Sequence, residues 1–193
     1  MTPYRLSICG LDELARFRRR RVSHLVSILD PGHPMPSGWE SRPFEARLDL
    51  RFHDVIEETE GMIAPTVSDV ERLLGFGSEI LGRFAEAAHL LIHCHAGVSR
   101  STAAATLLVA AACPERDAEE VIVAVSRLRP VAWPNLRMVE MGDALLGRKG
   151  GLVAALRTQY RAVLEREPEW AEVMRDEGRQ RELEHLRSEG AAV

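Results

Sequence analysis

The segment from Ala88 to Leu108 constrains the fold more than any other part of the chain. An apolar run, Ala88-His89-Leu90-Leu91-Ile92, leads into His93-Cys94-His95-Ala96-Gly97-Val98-Ser99-Arg100-Ser101. An alanine-rich run, Thr102-Ala103-Ala104-Ala105-Thr106-Leu107-Leu108, follows. The pattern predicts a strand, a tight loop and a helix over 101–112. That helix is apolar nearly all round and therefore belongs in the middle of the molecule. Gly97 stands where such a loop must turn sharply and approach a ligand closely. A loop of this shape points successive backbone N–H groups at one anion, with a helix N-terminus behind them.

Elsewhere the chain alternates strand and helix signals. Leu6-Ser7-Ile8-Cys9 reads as a short first strand and Leu11 to Phe17 as a short helix. Arg18-Arg19-Arg20-Arg21 is a basic run, ordinarily a solvated face, with attraction of an acidic phosphorylated partner as the sharper alternative. Val22 to Leu29 predicts a buried strand, and Pro31 to Gly38 a loop. Leu48, Leu50 and Phe52 alternate with Asp49, Arg51 and His53, giving a half-buried strand that ends just before Asp54. Ser68-Asp69-Val70-Glu71 has the form of a capping box. Val70, Leu73, Leu74, Ile80, Leu81, Phe84, Ala87 and Ala88 then keep helical spacing, weakened by Gly75, Gly77 and Gly82.

Asp117 to Glu120 caps a further helix with Val121, Val125 and Leu128 on one face, stopped by Pro130. Pro134 is suited to open the next. Leu152 to Glu165 is amphipathic, and from Pro168 the chain is highly charged, predicting a peripheral helix or a tail. This order predicts an α/β fold: a central, mostly parallel sheet of four to five strands flanked by helices. Residues 1–150 form the expected domain, with 151–193 as a helical extension ending in a disordered tail. Ligands in such sheets bind at the carboxyl ends of strands, where the Cys94 loop starts.

A net charge of −4 gives no sign of nucleic-acid binding, and no apolar run reaches membrane-spanning length. Met1-Thr2-Pro3-Tyr4-Arg5 lacks the character of a signal peptide. Cys9, Cys94 and Cys113 have no paired or metal-type spacing, and this sparse, odd set suits a reducing cytoplasm. His93 and His95 alternate across a strand with no acidic residue close by, so no metal site is expected. The chemistry needs no cofactor.

Cys94 is placed to act as a nucleophile beneath a bound phosphate. A helix N-terminus, loop amides and a nearby guanidinium all favour the thiolate. Arg100 offers a planar, bidentate clamp for phosphate oxygens. With His93 ahead of the cysteine, Gly97 in the loop and Ser101 after the arginine, the segment resembles the protein tyrosine phosphatase superfamily. Within it, the loop resembles the dual-specificity branch, and the chain is similar to a bacterial-type member.

That resemblance implies hydrolysis of phosphomonoesters through a cysteinyl-phosphate intermediate. His95, Ala96, Gly97, Val98, Ser99 and Arg100 would cradle the phosphate, and the Ser101 hydroxyl would help release the thiolate. Helix capping is the plain alternative for Ser101. The resemblance assigns His93 to ordering the loop. It also places the acid that protonates the leaving oxygen on the loop after an earlier strand, at Asp54. Glu57, Glu58 and Asp69 are the alternatives. Arg129-Pro130-Val131-Ala132-Trp133-Pro134-Asn135 is similar to the family's stretch ending in Pro-Asn, with Asn135 tying it to the phosphate loop. The resemblance covers about residues 22–147 and says nothing of 151–193.

The loop interior carries no Lys or Arg, unlike that of phosphoinositide phosphatases. This favours a phosphoprotein substrate, with phosphotyrosine first because aryl oxide is the better leaving group. Two alternatives stay open: the same chemistry on a nucleotide, inositol or lipid phosphate, and a phosphate-binding module without turnover.

Overall fold

The computed structural model describes residues 2–83 and 88–186. Four strands, β1 (Arg5–Cys9), β2 (His24–Leu29), β3 (Ala46–Arg51) and β4 (His89–His93), form one sheet in the order β1-β4-β2-β3. Every pairing is parallel. The helices are α1 (Val67–Arg83), α2 (Arg100–Ala112), α3 (Ala118–Leu128), α4 (Leu136–Leu145), α5 (Gly151–Arg166), α6 (Trp170–Asp176) and α7 (Gln180–His185). A 3₁₀ turn over Leu11–Phe17 takes the place of the first expected helix.

The two central strands explain their own sequences. On β4, Leu90 and Ile92 face the main core while Leu91 faces a smaller cluster with Leu14, Val22, Met35 and Trp39. On β2, Val26 and Ile28 face the first and Leu25 the second. Burial on both faces is why these strands read as continuous apolar runs. Helix α2 is buried through almost its whole length, as its uniform apolarity requires. Burying a residue of the Leu or Ile type contributes about 1.5–3 kcal/mol.

Several local expectations are corrected. The cap of α1 is Thr66, not Ser68: the Thr66 amide and hydroxyl donate to Asp69 Oδ2, and the Asp69 amide donates to Thr66 Oγ1. Helix α1 runs through Gly75, Gly77 and Gly82 because tertiary packing outweighs propensity. A Cβ on Gly77 would meet Leu108 Cδ2 at 2.5 Å, so this glycine lets α1 lie close to α2. The helical spacing extended to Phe84 and Ala87 falls outside the described residues, while Ala88 leads into β4 and accepts from the Arg5 amide. Asp117 caps α3 as expected, its side chain accepting from the Glu120 amide, but Leu128 at that helix's end is 44% exposed. Pro134 precedes α4 rather than opening it, and Asn135 is the cap. Arg18 to Arg21 are exposed, with Arg42 donating to the carbonyls of Phe17, Arg18 and Arg20.

Within the charged stretch after Pro168 the described residues form α6 and α7, the helical one of the two expected outcomes. Trp133 stacks on Tyr160 of α5, ring centroids 4.2 Å apart, and lies parallel to Trp170 of α6 at 6.3 Å. Two charged side chains of this stretch, Arg179 and Glu182, are 4% and 0% exposed.

Candidate active site

The loop from Cys94 to Ser99 leaves the carboxyl end of β4 and runs into α2. Four of its carbonyls are taken by groups outside it. His95 O accepts from the Leu11 amide at 2.8 Å, and Ala96 O from Arg129 Nη2 at 3.0 Å. Val98 O accepts from the Trp133 amide at 2.9 Å, and Ser99 O from the Asn135 amide at 3.4 Å. With these four carbonyls tied outward, the loop can turn amides inward, and that of Gly97 meets the Cys94 sulfur. Gly97 has φ +72°, and a Cβ there would lie 2.4 Å from the Cys9 carbonyl carbon. Both facts require glycine.

Cys94 is 1% exposed, at the base of the site. Its Sγ accepts from the Gly97 amide at 3.2 Å and lies 3.2 Å from Ser101 Oγ. Helix α2 begins at Arg100, so Ser101 sits in its first turn rather than at its cap, with its hydroxyl against the sulfur.

The buried Arg100 reaches across the site. Its Nη1 donates to Asp30 Oδ1 at 2.6 Å and to Phe52 O at 2.7 Å. Its Nε is buried without a hydrogen-bond partner, 3.6 Å from Asp54 Oδ2. Asp54 is half-buried just past β3. Its Oδ1 accepts from Ser99 Oγ at 2.7 Å, Asn135 Nδ2 at 2.9 Å and Arg179 Nη1 at 3.3 Å. Burial by itself would push this carboxyl up. The Arg179 and Arg100 guanidiniums, with the Ser99 and Asn135 hydrogen bonds, more than offset that and hold it below the usual carboxylate range. The rival carboxylates are engaged elsewhere: Glu57 with Arg181, Glu58 with Arg137, and Asp69 in the α1 cap.

Asn135 joins three elements. Its side chain donates to Asp54 and to Val55 O, its Oδ1 accepts the Met138 amide, and its own amide reaches the loop. His95 Nε2 accepts from the Asp30 amide at 3.2 Å, linking the loop to the end of β2. His93 is fully buried, its Nδ1 3.4 Å from the Cys94 carbonyl oxygen. A pocket of about 530 Å³ opens in front of this group, lined in part by Asp30, Asp54, His95, Arg100 and the turn Asp176-Glu177-Gly178.

Four participants escape the sequence reading. Asp30 follows β2 as Asp54 follows β3, and the same end-of-strand argument would have found it. Gly10 packs against the loop, and a Cβ there would lie 2.9 Å from the Ala96 carbonyl group and the His95 carbonyl oxygen. Glu13 pairs with Arg129 at 2.8 Å, behind the Ala96 carbonyl. Arg179 lies in the charged stretch, where nothing in the sequence separates it from its neighbours.

The architecture is the fold of tyrosine and dual-specificity phosphatases. Among solved structures the chain is similar to the PTP-2 phosphatase of Cydia pomonella, with 24% identity and a TM-score of 0.56 over 72% of this chain and 84% of that one. It is similar to human DUSP28, with 19% identity and a TM-score of 0.54 over 74% and 94%. A third is a human tyrosine phosphatase-like serine/threonine/tyrosine-interacting protein, with 17% identity and a TM-score of 0.53 over 73% and 87%. At these identities the likeness establishes the fold. No family model matches the sequence, and no curated protein matches it. None of the described helices is long and apolar enough to cross a membrane.

Proposed function

We propose that the chain is a cysteine-dependent phosphatase acting on phosphomonoesters, with phosphoproteins, and phosphotyrosine first, as substrates. The observation that carries this reading is Cys94 Sγ held by the Gly97 amide and the Ser101 hydroxyl, inside a loop four of whose carbonyls are tied outward. The thiolate attacks phosphorus, and the bond from phosphorus to the leaving oxygen breaks. Asp54 gives that oxygen a proton. Water, deprotonated by the resulting carboxylate, then attacks the cysteinyl-phosphate, and the sulfur departs with the Ser101 hydroxyl donating to it.

The Nε of Arg100, buried without a hydrogen-bond partner though 3.6 Å from Asp54 Oδ2, supports its role as the clamp, since a phosphate oxygen would satisfy that donor. Arg179 and Arg100 favour Asp54 as a carboxylate, whereas an acid must carry a proton. A phosphate dianion resolves this. It competes for Arg100 and brings negative charge beside the carboxyl, and both effects raise its proton affinity. Asp30, Asp54, Glu57, Asp176 and Glu177 around the pocket disfavour polyphosphorylated inositols and nucleotides, in keeping with a loop lacking Lys and Arg.

A second reading, phosphate binding without turnover, is favoured by the Asp30 carboxylate already occupying Arg100 Nη1. One experiment separates the two: hydrolysis of an aryl phosphate by wild type, Cys94→Ser and Asp54→Asn across roughly pH 5 to 8. The phosphatase reading expects turnover by wild type, none by the Cys94 variant, and loss of the basic limb in the Asp54 variant. Vanadate binding by wild type without any turnover would establish the second reading instead.

A further inference from the structure

The buried pair Arg179 and Glu182 lies beyond residues 22–147, the stretch whose sequence resembles the phosphatase family, yet it reaches the groups of the proposed site. Arg179 Nη1 donates to Ser99 Oγ at 2.7 Å and lies 3.3 Å from Asp54 Oδ1. Its Nη2 donates to Glu182 Oε1 at 2.6 Å. Glu182 is fixed in turn. Its Oε2 accepts from Trp133 Nε1 at 2.6 Å, and its Oε1 accepts from the Leu136 amide at 3.0 Å. Tyr160 Oη lies 3.4 Å from that same oxygen.

Burial alone would weaken the charge on Arg179, but Glu182 and Asp54 hold it firmly protonated. A buried guanidinium with one arm on a fixed carboxylate has little freedom, so its other arm fixes whatever it touches. What it touches is the proposed acid and the loop serine that donates to that acid. The preceding residues, Asp176 to Gly178, form part of the pocket wall.

We propose that Arg179 is a positioning residue of the active site: it holds the Asp54 carboxyl and the Ser99 hydroxyl in place, so that residues 168–186 complete the site. This rests on the reading of Asp54 as the leaving-group acid. A positioned acid matters most when the leaving oxygen is strongly basic, because a good leaving group departs without a proton. Loss of positioning is therefore read in the ratio of rates between an activated aryl phosphate and an alkyl phosphate. General damage to the fold slows both together.

The test measures kcat/KM for both substrates in wild type, Arg179→Gln, Arg179→Lys, Asp54→Asn and the double variant Asp54→Asn/Arg179→Gln. Asp54→Asn is expected to raise the ratio by about 100-fold or more, in line with the usual contribution of an acid. Arg179→Gln should raise it by about 10-fold, Arg179→Lys should fall between that variant and wild type, and the double variant should match Asp54→Asn. An unchanged ratio in Arg179→Gln, with the Asp54→Asn effect present, overturns the inference and leaves the acid assignment standing. An unchanged ratio in Asp54→Asn overturns both. If Arg179→Gln does not fold, the Arg179→Lys ratio decides: raised supports the inference and unchanged overturns it.

Discussion

At the scale of single residues, the site gives most of its buried polar atoms a partner outside the reaction path. His93 Nε2, like Arg100 Nε, is an exception. The His93 side chain is fully buried, and its Nε2 has no hydrogen-bond partner. Burial pushes its pKa down to about 4, against a weaker opposing effect from the Cys94 carbonyl. In the unfolded chain the imidazole takes up a proton near pH 6.5, whereas the folded protein resists it until about pH 4. Between those values acidification favours the unfolded state, so stability falls as the pH drops from about 6.5 to 4. The gap corresponds to about 3 kcal/mol. His24, His89 and His95, whose pKa values burial also lowers, add to the slope in the same direction. Urea midpoints at pH 7 and pH 5 should show the loss in wild type and a shallower one in His93→Asn. Equal slopes would place the acid sensitivity elsewhere.

At the scale of elements, the Cys94 loop is shaped by the end of β1 as much as by its own sequence. Gly10 and Gly97 meet at backbone contact distance, and Arg129 bridges Glu13 to the Ala96 carbonyl. Gly10 itself has φ −90°, which any residue adopts, so only the space beside it demands glycine. Gly10→Ala should therefore displace the loop, costing about 1–3 kcal/mol of stability by overpacking. Vanadate affinity should fall with it, as measured by protection against thermal unfolding. Retained affinity would mean that the loop does not depend on this contact. A strand-loop-helix signal was plain in the sequence because one run of residues carries it. The buttress was not, because it comes from residues remote in the chain.

At the scale of the whole molecule, the C-terminal helices are joined to the sheet domain through charge buried at Glu182. This carboxylate serves Arg179, Trp133 and the α4 N-terminus together. Removing it leaves the buried Arg179 guanidinium with Asp54 as its remaining carboxylate, a change that costs up to about 3–5 kcal/mol. Glu182→Ala should show that loss in chemical unfolding, while Glu182→Gln, which keeps an acceptor, should lose less. Equal and small losses in both would mean that the segment contributes little to the fold.

The sequence by itself determined the α/β class, the strand that delivers Cys94, the central helix behind it and the proximity of Arg100 and Ser101. These follow from hydrophobic periodicity and from residues within one loop, where spacing along the chain fixes spacing in space. The resemblance brought Asp54 and Asn135 into consideration. Only the tertiary structure decided that both touch one carboxylate oxygen network, that Asp30 engages Arg100, and that Arg179 arrives from a charged stretch far along the chain. The physical reason is burial. A charged residue in a charged stretch reads as solvated, and only its contacts with Glu182, Asp54 and the Cys94 loop take Arg179 out of water.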